Sequence, residues 1–359
     1  MINVTKSYLP NIDVFKQYVD EIYDSACLTN RGPLHQKLEK LLANRLGVKN
    51  LLLVANGTLA LQVAYRLLEL KGEVITTPFS FAATSSSLIW EGLEPVYADI
   101  CPNSFNIELE NIESAITNRT SAIVPVHVFG NACHVDKISA LANKHNLKVI
   151  YDASHAFDVS GQHGSLLNYG DISTLSFHAT KLFHTIEGGA LVINDDELFK
   201  KARKMINFGL ELGGTISSLG INAKMNEFQA AMGLCMLSEV DSIIEERKKL
   251  VEKYKSILID SVSFQKLNPV FSENYSYFPV VFEHHDIMKK VLKMLEKEGI
   301  NARRYFFPSL DEIYSQTSIM PVSRDISDRI ICLPLYAGLQ VTEVIRIASI
   351  IKRVLEENK

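Results

Sequence analysis

The amino-acid sequence predicts an α/β protein, with a large domain on a mostly parallel sheet followed by a smaller C-terminal α+β domain. Two observations carry this reading. Between residues 34 and 192, short apolar runs of strand length alternate with helical stretches, the pattern of parallel strands joined by helical crossovers. After Val192 the pattern changes, and from about residue 270 a smaller α+β pattern begins. A chain of 359 residues is long enough for both parts.

In chain order, Leu34, Leu38, Leu41 and Leu42 form a helical stripe that stops near Gly47. Leu51-Leu52-Leu53-Val54 is short, apolar and followed by Asn56-Gly57, which reads as a buried strand entering a turn. A second helix follows. Strand candidates then lie at 74–76, 96–97, 123–126, 149–151 and 172–177, with helical segments near 81–90, 107–116 and 136–145 between them. Residues 226–256 read as one long helical region with Phe228, Ala231, Met232 and Cys235 near one side. Beyond it come a strand at 278–282, a helix at 286–298, and strands near 303–305 and 331–333. A final helix opens at Thr342 with Glu343 behind it. The expected division is 1–240 for the large domain with its N-terminal segment, and 241–359 for a linking helix and the small domain.

Composition narrows the function classes. A net charge of −4 argues against a polyanion-binding surface or a general affinity for membranes, so neither nucleic acid nor a membrane is an expected partner. The five cysteines lie far apart with no CxxC pair, which fits a reduced compartment better than a disulfide framework. The N-terminus lacks the apolar run of a signal peptide, and no stretch approaches the roughly 18 consecutive apolar residues of a membrane span. A soluble, cytoplasmic protein is the expectation.

In open α/β sheets ligands gather at the carboxyl ends of strands, and four features fall at such ends. Ala55-Asn56-Gly57-Thr58 follows strand 51–54: Gly57 lets backbone approach a ligand, Thr58 supplies a hydroxyl, and the next helix directs free N–H groups at an anion. A plain turn with an N-cap fits those residues equally. Tyr151-Asp152-Ala153-Ser154-His155 puts a carboxylate at the end of an apolar strand, where it needs a partner; an N-cap aspartate is the alternative. Ser176-Phe177-His178-Ala179-Thr180-Lys181, followed by Glu187-Gly188-Gly189-Ala190, sets a lysine in a weakly charged neighbourhood. Partial desolvation there would lower its pKa and let it form an imine, although lysine is usually a solvated surface residue. Thr77-Pro78-Phe79-Ser80-Phe81 offers an aromatic either for stacking on a ring or for the core. His284-His285-Asp286 invites a metal reading but lacks a third spaced ligand. Asp286 reads instead as the N-cap of a helix, and no metal is expected.

Taken in order, these stretches resemble the DegT/DnrJ/EryC1/StrS family of sugar aminotransferases, which use pyridoxal 5'-phosphate (PLP). The matching segments are 55–61, 76–84, 152–156, 176–181 with 187–190, and GlyIleAsnAlaLysMetAsnGluPheGlnAlaAla at 220–231, so the resemblance spans nearly the whole chain. It implies PLP fold type I, with a seven-stranded-type sheet. Lys181 matches the catalytic lysine that bonds the cofactor. Asp152 matches the aspartate facing the pyridine nitrogen, His155 a residue near the phenolic oxygen, Phe81 the stacking aromatic and Ser154 the strip beneath the ring. Gly57, Thr58 and Ser176 match phosphate contacts. Asn222 matches an asparagine that reaches the phosphate from the neighbouring subunit, so a homodimer with shared sites is implied. Lys224 stands where many members have arginine and would meet an acidic group of a substrate; a solvated lysine is the alternative. Arg303 and Tyr305 belong to a region that often lines the acceptor pocket in the family, or else to a plain edge strand.

The family also implies L-glutamate as amino donor, with 2-oxoglutarate released, and pyridoxamine phosphate as the cofactor form carried between the two halves of turnover. The His178-Ala179-Thr180-Lys181 box with Glu187-Gly188-Gly189 most resembles members acting at C4 of dTDP-linked 4-keto-6-deoxy sugars. The expected acceptor is dTDP-4-keto-6-deoxy-D-glucose, in surface polysaccharide or O-antigen synthesis. Three rival readings remain. C3-acting members usually carry a TyrProGlyLys-type box. Deoxygenating relatives place histidine where this chain has Lys181. A non-catalytic regulatory protein would show a damaged constellation.

Overall fold

The computed structural model describes residues 1–211, 213–315 and 319–358. Seven strands form the central sheet: β1 (Leu51–Val54), β2 (Glu73–Thr76), β3 (Glu94–Tyr97), β4 (Thr120–Val124), β5 (Lys148–Asp152), β6 (Ile172–Ser176) and β7 (Gly189–Ile193). Their spatial order is β1-β7-β6-β5-β4-β2-β3. Pairs β3–β2, β2–β4, β4–β5 and β5–β6 are parallel, while β7 runs antiparallel to both β6 and β1. The α/β class and mostly parallel sheet agree with the sequence reading.

The apolar runs are continuous because both faces of the sheet are covered. Side chains alternate across a strand, so Leu51 and Leu53 enter one apolar cluster with Leu38, Ile75, Tyr151 and Leu175. Leu52 and Val54 enter another with Ala60, Val74, Ile150 and Leu191. The covering helices are α1 (Ile12–Ser25), α2 (Pro33–Leu46), α3 (Gly57–Leu67), α4 (Ala82–Trp90), α5 (Leu109–Ala115), α6 (Val135–His145), α7 (Asp196–Met205) and α8 (Glu227–Leu237). In α2, Leu34, Leu38 and Leu42 are buried and Leu41 is exposed, so the buried stripe is narrower than the sequence reading had it.

The single helix expected over 226–256 is two: α8, then α9 (Val240–Leu258). Ser238 Oγ bonds the Cys235 carbonyl at 2.8 Å, and the Glu239 N–H returns to the Met236 carbonyl at 3.0 Å. A serine that takes a backbone carbonyl for itself favours such a break. The helix α9 contributes Val240 and Ile243 to the first cluster. Its residues Leu250, Val251, Tyr254 and Leu258 join a separate C-terminal one.

That C-terminal cluster surrounds a three-stranded antiparallel sheet, β8 (Ser263–Phe264), β9 (Pro279–Val281) and β10 (Ile330–Cys332). Its helices are α10 (His285–Lys297), α11 (Asp311–Tyr314), α12 (Pro321–Arg329) and α13 (Val341–Glu356). Residues 303–305 form no strand: Arg303 makes one isolated bridge to Cys332, and the chain then turns. Asp286 is not the N-cap expected of it. His284 holds that position, and Asp286 lies in the first turn, where its charge complements the helix dipole. A fourth cluster, including Phe79, Phe105, Phe129, Val281 and Phe306, joins the sheet to the C-terminal part. Among the described residues no helix is long and apolar enough to cross a membrane, no His/Cys/Asp/Glu group could hold a metal, and all five cysteines are free.

Candidate active site

The carboxyl ends of β1, β2, β5 and β6 point to one edge of the sheet, and antiparallel β7 begins there. Gly189, its first residue, pairs with Val54 on one side and Ser176 on the other. A cavity of about 360 Å³ opens at this edge.

One end of the cavity is built by small residues. Asn56 caps α3, its side chain accepting the Leu59 N–H at 2.9 Å. The first N–H groups of the helix, those of Gly57 and Thr58, lie beyond that cap, where helices receive anions. A Cβ on Gly57 would stand 2.9 Å from Ser176 Cβ, and one on Gly189 would stand 2.7 Å from the Asn56 carbonyl. A side chain at Gly57 would intrude between two residues that line the cavity, and one at Gly189 would push against the backbone of the turn that forms its wall. Thr58 and Ser176 line it with hydroxyls.

Asp152 ends β5, 5% exposed. Its Oδ2 accepts from Thr84 Oγ1 at 2.8 Å and its Oδ1 from the Ser154 N–H at 3.1 Å. Both donors are uncharged, so this buried carboxylate still favours a protonated partner from the cavity. His155 is buried, and its Nδ1 accepts the Phe129 N–H at 3.2 Å, which assigns the ring proton to Nε2. Burial pushes this imidazole well below its usual range, with the Lys181 charge acting in the same sense, so the ring is neutral.

Lys181 follows β6. Burial lowers its amine to about 8, opposed by the attraction of the Asp152 carboxylate and Tyr305. Its Nζ lies 3.3 Å from Tyr277 Oη. Phe81 precedes α4, 61% exposed at the rim, whereas Phe79 is fully buried against Phe105, Phe129 and Phe306. The two aromatics of that stretch thus divide the alternatives between them. Arg303 donates to Tyr305 Oη at 3.0 Å, and both side chains line the cavity.

Two expected residues stand apart within one chain. Asn222 is exposed and bridges Asn207, and Lys224 donates to Asn207 Oδ1 at 2.8 Å; neither lines the cavity. In return, Thr84 and Tyr277 line it without having been given a role from the sequence, and His178, Glu187 and Phe306, which lay in the stretches read as substrate-determining, line it too. Thr84 lay in a stretch already matched. Tyr277 carries no local signal, because it arrives from the C-terminal part of the fold.

A concave anion cradle, a buried carboxylate with uncharged partners and an amine of lowered pKa share one cavity. That donor set fits the phosphate, ring nitrogen and aldehyde of PLP. Comparison with known proteins agrees. The sequence profile described as the DegT/DnrJ/EryC1/StrS aminotransferase family matches residues 11–352. The dTDP-4-amino-4,6-dideoxy-D-glucose transaminase of Shigella dysenteriae is 41% identical, over 98% of this chain and 99% of the relative. The transaminase of the same name from Escherichia coli is 36% identical, over 98% of each. The crystal structure of DesI in the presence of its TDP-sugar product superposes with a TM-score of 0.94 and 31% identity, covering 99% of this chain and 93% of that one. Helicobacter pylori PseC, an aminotransferase involved in pseudoaminic acid biosynthesis, gives 0.88 and 29%, covering 99% of each. With its profile matched almost end to end, the chain belongs to the DegT/DnrJ/EryC1/StrS aminotransferase family, and its cofactor is pyridoxal 5'-phosphate.

Proposed function

We propose that this enzyme transfers the amino group of L-glutamate to C4 of dTDP-4-keto-6-deoxy-D-glucose, giving dTDP-4-amino-4,6-dideoxy-D-glucose. The names of the relatives at 41% and 36% identity support the acceptor, as does the 178–181 box with 187–189. The observation that carries the chemistry is the Lys181 amine, lowered to about 8, in the same cavity as Asp152 and the Gly57 cradle.

When bound, PLP supplies an electron-withdrawing ring that makes the donor's α-proton removable. Lys181 Nζ would move that proton from Cα to the cofactor's exocyclic carbon and, in the second half of turnover, move one from that carbon to C4 of the sugar, which an amine titrating near neutrality can do in both directions. Asp152 would take the ring nitrogen as its protonated partner. The Nε2–H of His155, left free by the Phe129 bond, would donate to the phenolic oxygen. Gly57, Thr58 and Ser176 would hold the phosphate, and Phe81 and Ser154, which line the same cavity, would hold the ring. Arg303 and Tyr305 stand at the sugar side of the cavity. The proposed working form is a homodimer in the cytoplasm, feeding surface-polysaccharide synthesis, with Asn222 reaching the partner's phosphate site and Lys224 beside it. The exposed Phe208, Ile216, Leu219 and Ile221 around Asn222 support a surface made to be covered.

The test is to incubate the enzyme, PLP and glutamate with a panel of nucleotide keto-sugars and read the product's ring couplings by NMR. An equatorial amine at C4 is expected. Amination at C3 would overturn the position, and an axial C4 amine would overturn only the stereochemistry.

A further inference from the structure

Lys181 Nζ lies 3.3 Å from the phenolic oxygen of Tyr277 and 5.8 Å from the centroid of its ring. Tyr277 precedes β9, so it reaches the cavity from the C-terminal part of the fold. We propose that Tyr277 is a positioning residue, whose hydroxyl holds the Lys181 ε-amine over the cavity whenever that amine is not covalently bonded, and that segment 274–277 is clamped to strip 153–157 to keep it there.

The clamp is specific. Asn274 Nδ2 donates to the carbonyls of His155 at 2.9 Å and Phe157 at 2.8 Å, and Ser276 Oγ donates to the His155 carbonyl at 3.0 Å. From behind, the buried Arg247 of α9 donates to the Ser276 carbonyl at 3.0 Å. Gly130 leaves the room: a Cβ there would stand 2.6 Å from Asn274 Oδ1. The Tyr277 ring is hemmed by His155 at 4.8 Å, Phe129 at 5.4 Å and Tyr305 at 5.8 Å between centroids. These rings and the clamped backbone restrict where its oxygen can lie.

A phenol restricted in this way suits a lysine that alternates between two charge states. It accepts a hydrogen bond from the ammonium and donates one to the neutral amine without moving. It also restricts a long side chain with several rotatable bonds. The titratable groups around the pair are Asp152 and Tyr305, which favour the ammonium, and His155, which is neutral. Behind the ring lie Arg247 and Cys332. Burial raises the Tyr277 phenol, with Cys332 adding to this and Arg247 opposing it, so the hydroxyl keeps its proton.

The proposal rests on Lys181 being the working amine, and the test separates the two. In Tyr277→Phe, the ring packing survives and the acceptor is lost. The expected result is a fall in kcat of about tenfold with both KM values held within about threefold. In the full-length chain freed of cofactor, the pH midpoint for labelling of Lys181 by an amine-reactive reagent, followed by peptide mapping, should fall by about one unit. Unchanged kcat and midpoint would overturn the proposal. So would a Tyr277→Phe enzyme that behaves as wild type beside an impaired Tyr277→Leu enzyme, since Tyr277 would then serve packing alone. Retained turnover in Lys181→Ala would instead overturn the functional reading, while the labelling midpoint still reports on the Tyr277 contact.

Discussion

At Asp152, geometry allows charge to be removed without removing shape. Its two oxygens are met by the Thr84 hydroxyl and the Ser154 N–H. In Asp152→Asn the carbonyl oxygen still accepts from Ser154, and the Thr84 hydroxyl rotates to accept from the new amide. The fold should survive, with a melting temperature within a few degrees of wild type. Turnover should fall by about 10²-fold or more, because an amide cannot hold a proton on the ring nitrogen. A steady-state assay beside a melting curve checks both, and near-normal turnover would remove Asp152 from the chemistry. A carboxylate closing an apolar strand is costly enough to be conspicuous in the sequence, as is a lysine isolated between a strand end and a Gly-Gly turn. Tyr277 was not visible in this way. Its importance comes from a contact with a residue nearly a hundred positions away in the chain, and nothing in its own neighbours signals that.

The decisive element is the turn from β1 into α3. At Gly57 two effects of an added methyl oppose each other. Alanine is the better helix former, by up to about 1 kcal/mol in a helix interior. Its Cβ would nevertheless stand 2.9 Å from Ser176 Cβ, tighter than contact allows. The clash should win where the cradle must stay open. Gly57→Ala is expected to weaken PLP binding by about tenfold, equivalent to about 1.4 kcal/mol, measured by absorbance titration of the cofactor-free chain. Unaltered affinity would sink the cradle assignment. The strands around this turn were legible because parallel strands covered on both faces are apolar throughout. The break at residues 238–239 was not, since no Gly or Pro marks it and the helical pattern continues through. Helix α1 was not picked out either, although Phe15, Tyr18, Val19 and Ile22 fall at helical spacing; it precedes the alternating pattern, and only Ile22 is fully buried.

For the whole molecule, the question is whether one chain makes a complete site. Asn222 lies outside the cavity of its own subunit, among exposed apolar side chains. If it serves a partner's site, Lys181→Ala and Asn222→Ala chains should complement each other. In a hybrid dimer one site combines both wild-type groups and the other both defects. Random exchange at equal amounts therefore leaves about a quarter of all sites intact. Activity should rise towards that fraction after mixing two nearly inactive preparations. No recovery, despite subunit exchange demonstrated by mass spectrometry, would assign each site to one chain.

The pairing of β1 also governs how the protein is made. Strand β1 leaves the ribosome early, fully apolar, yet its sheet neighbour β7 begins only at Gly189. Its other edge is covered later still, where the Ala55 N–H bonds the Ala223 carbonyl and Val54 bridges Lys224. Helices α2 and α3 can cover its faces from nearby in the chain, but its backbone edges wait for segments more than a hundred residues away, and unpaired edges are prone to wrong associations. The anion-binding turn therefore gains its full backbone surroundings only once residues as far along as 224 have joined it, so its affinity for the vitamin-derived group reports on assembly of the whole sheet edge.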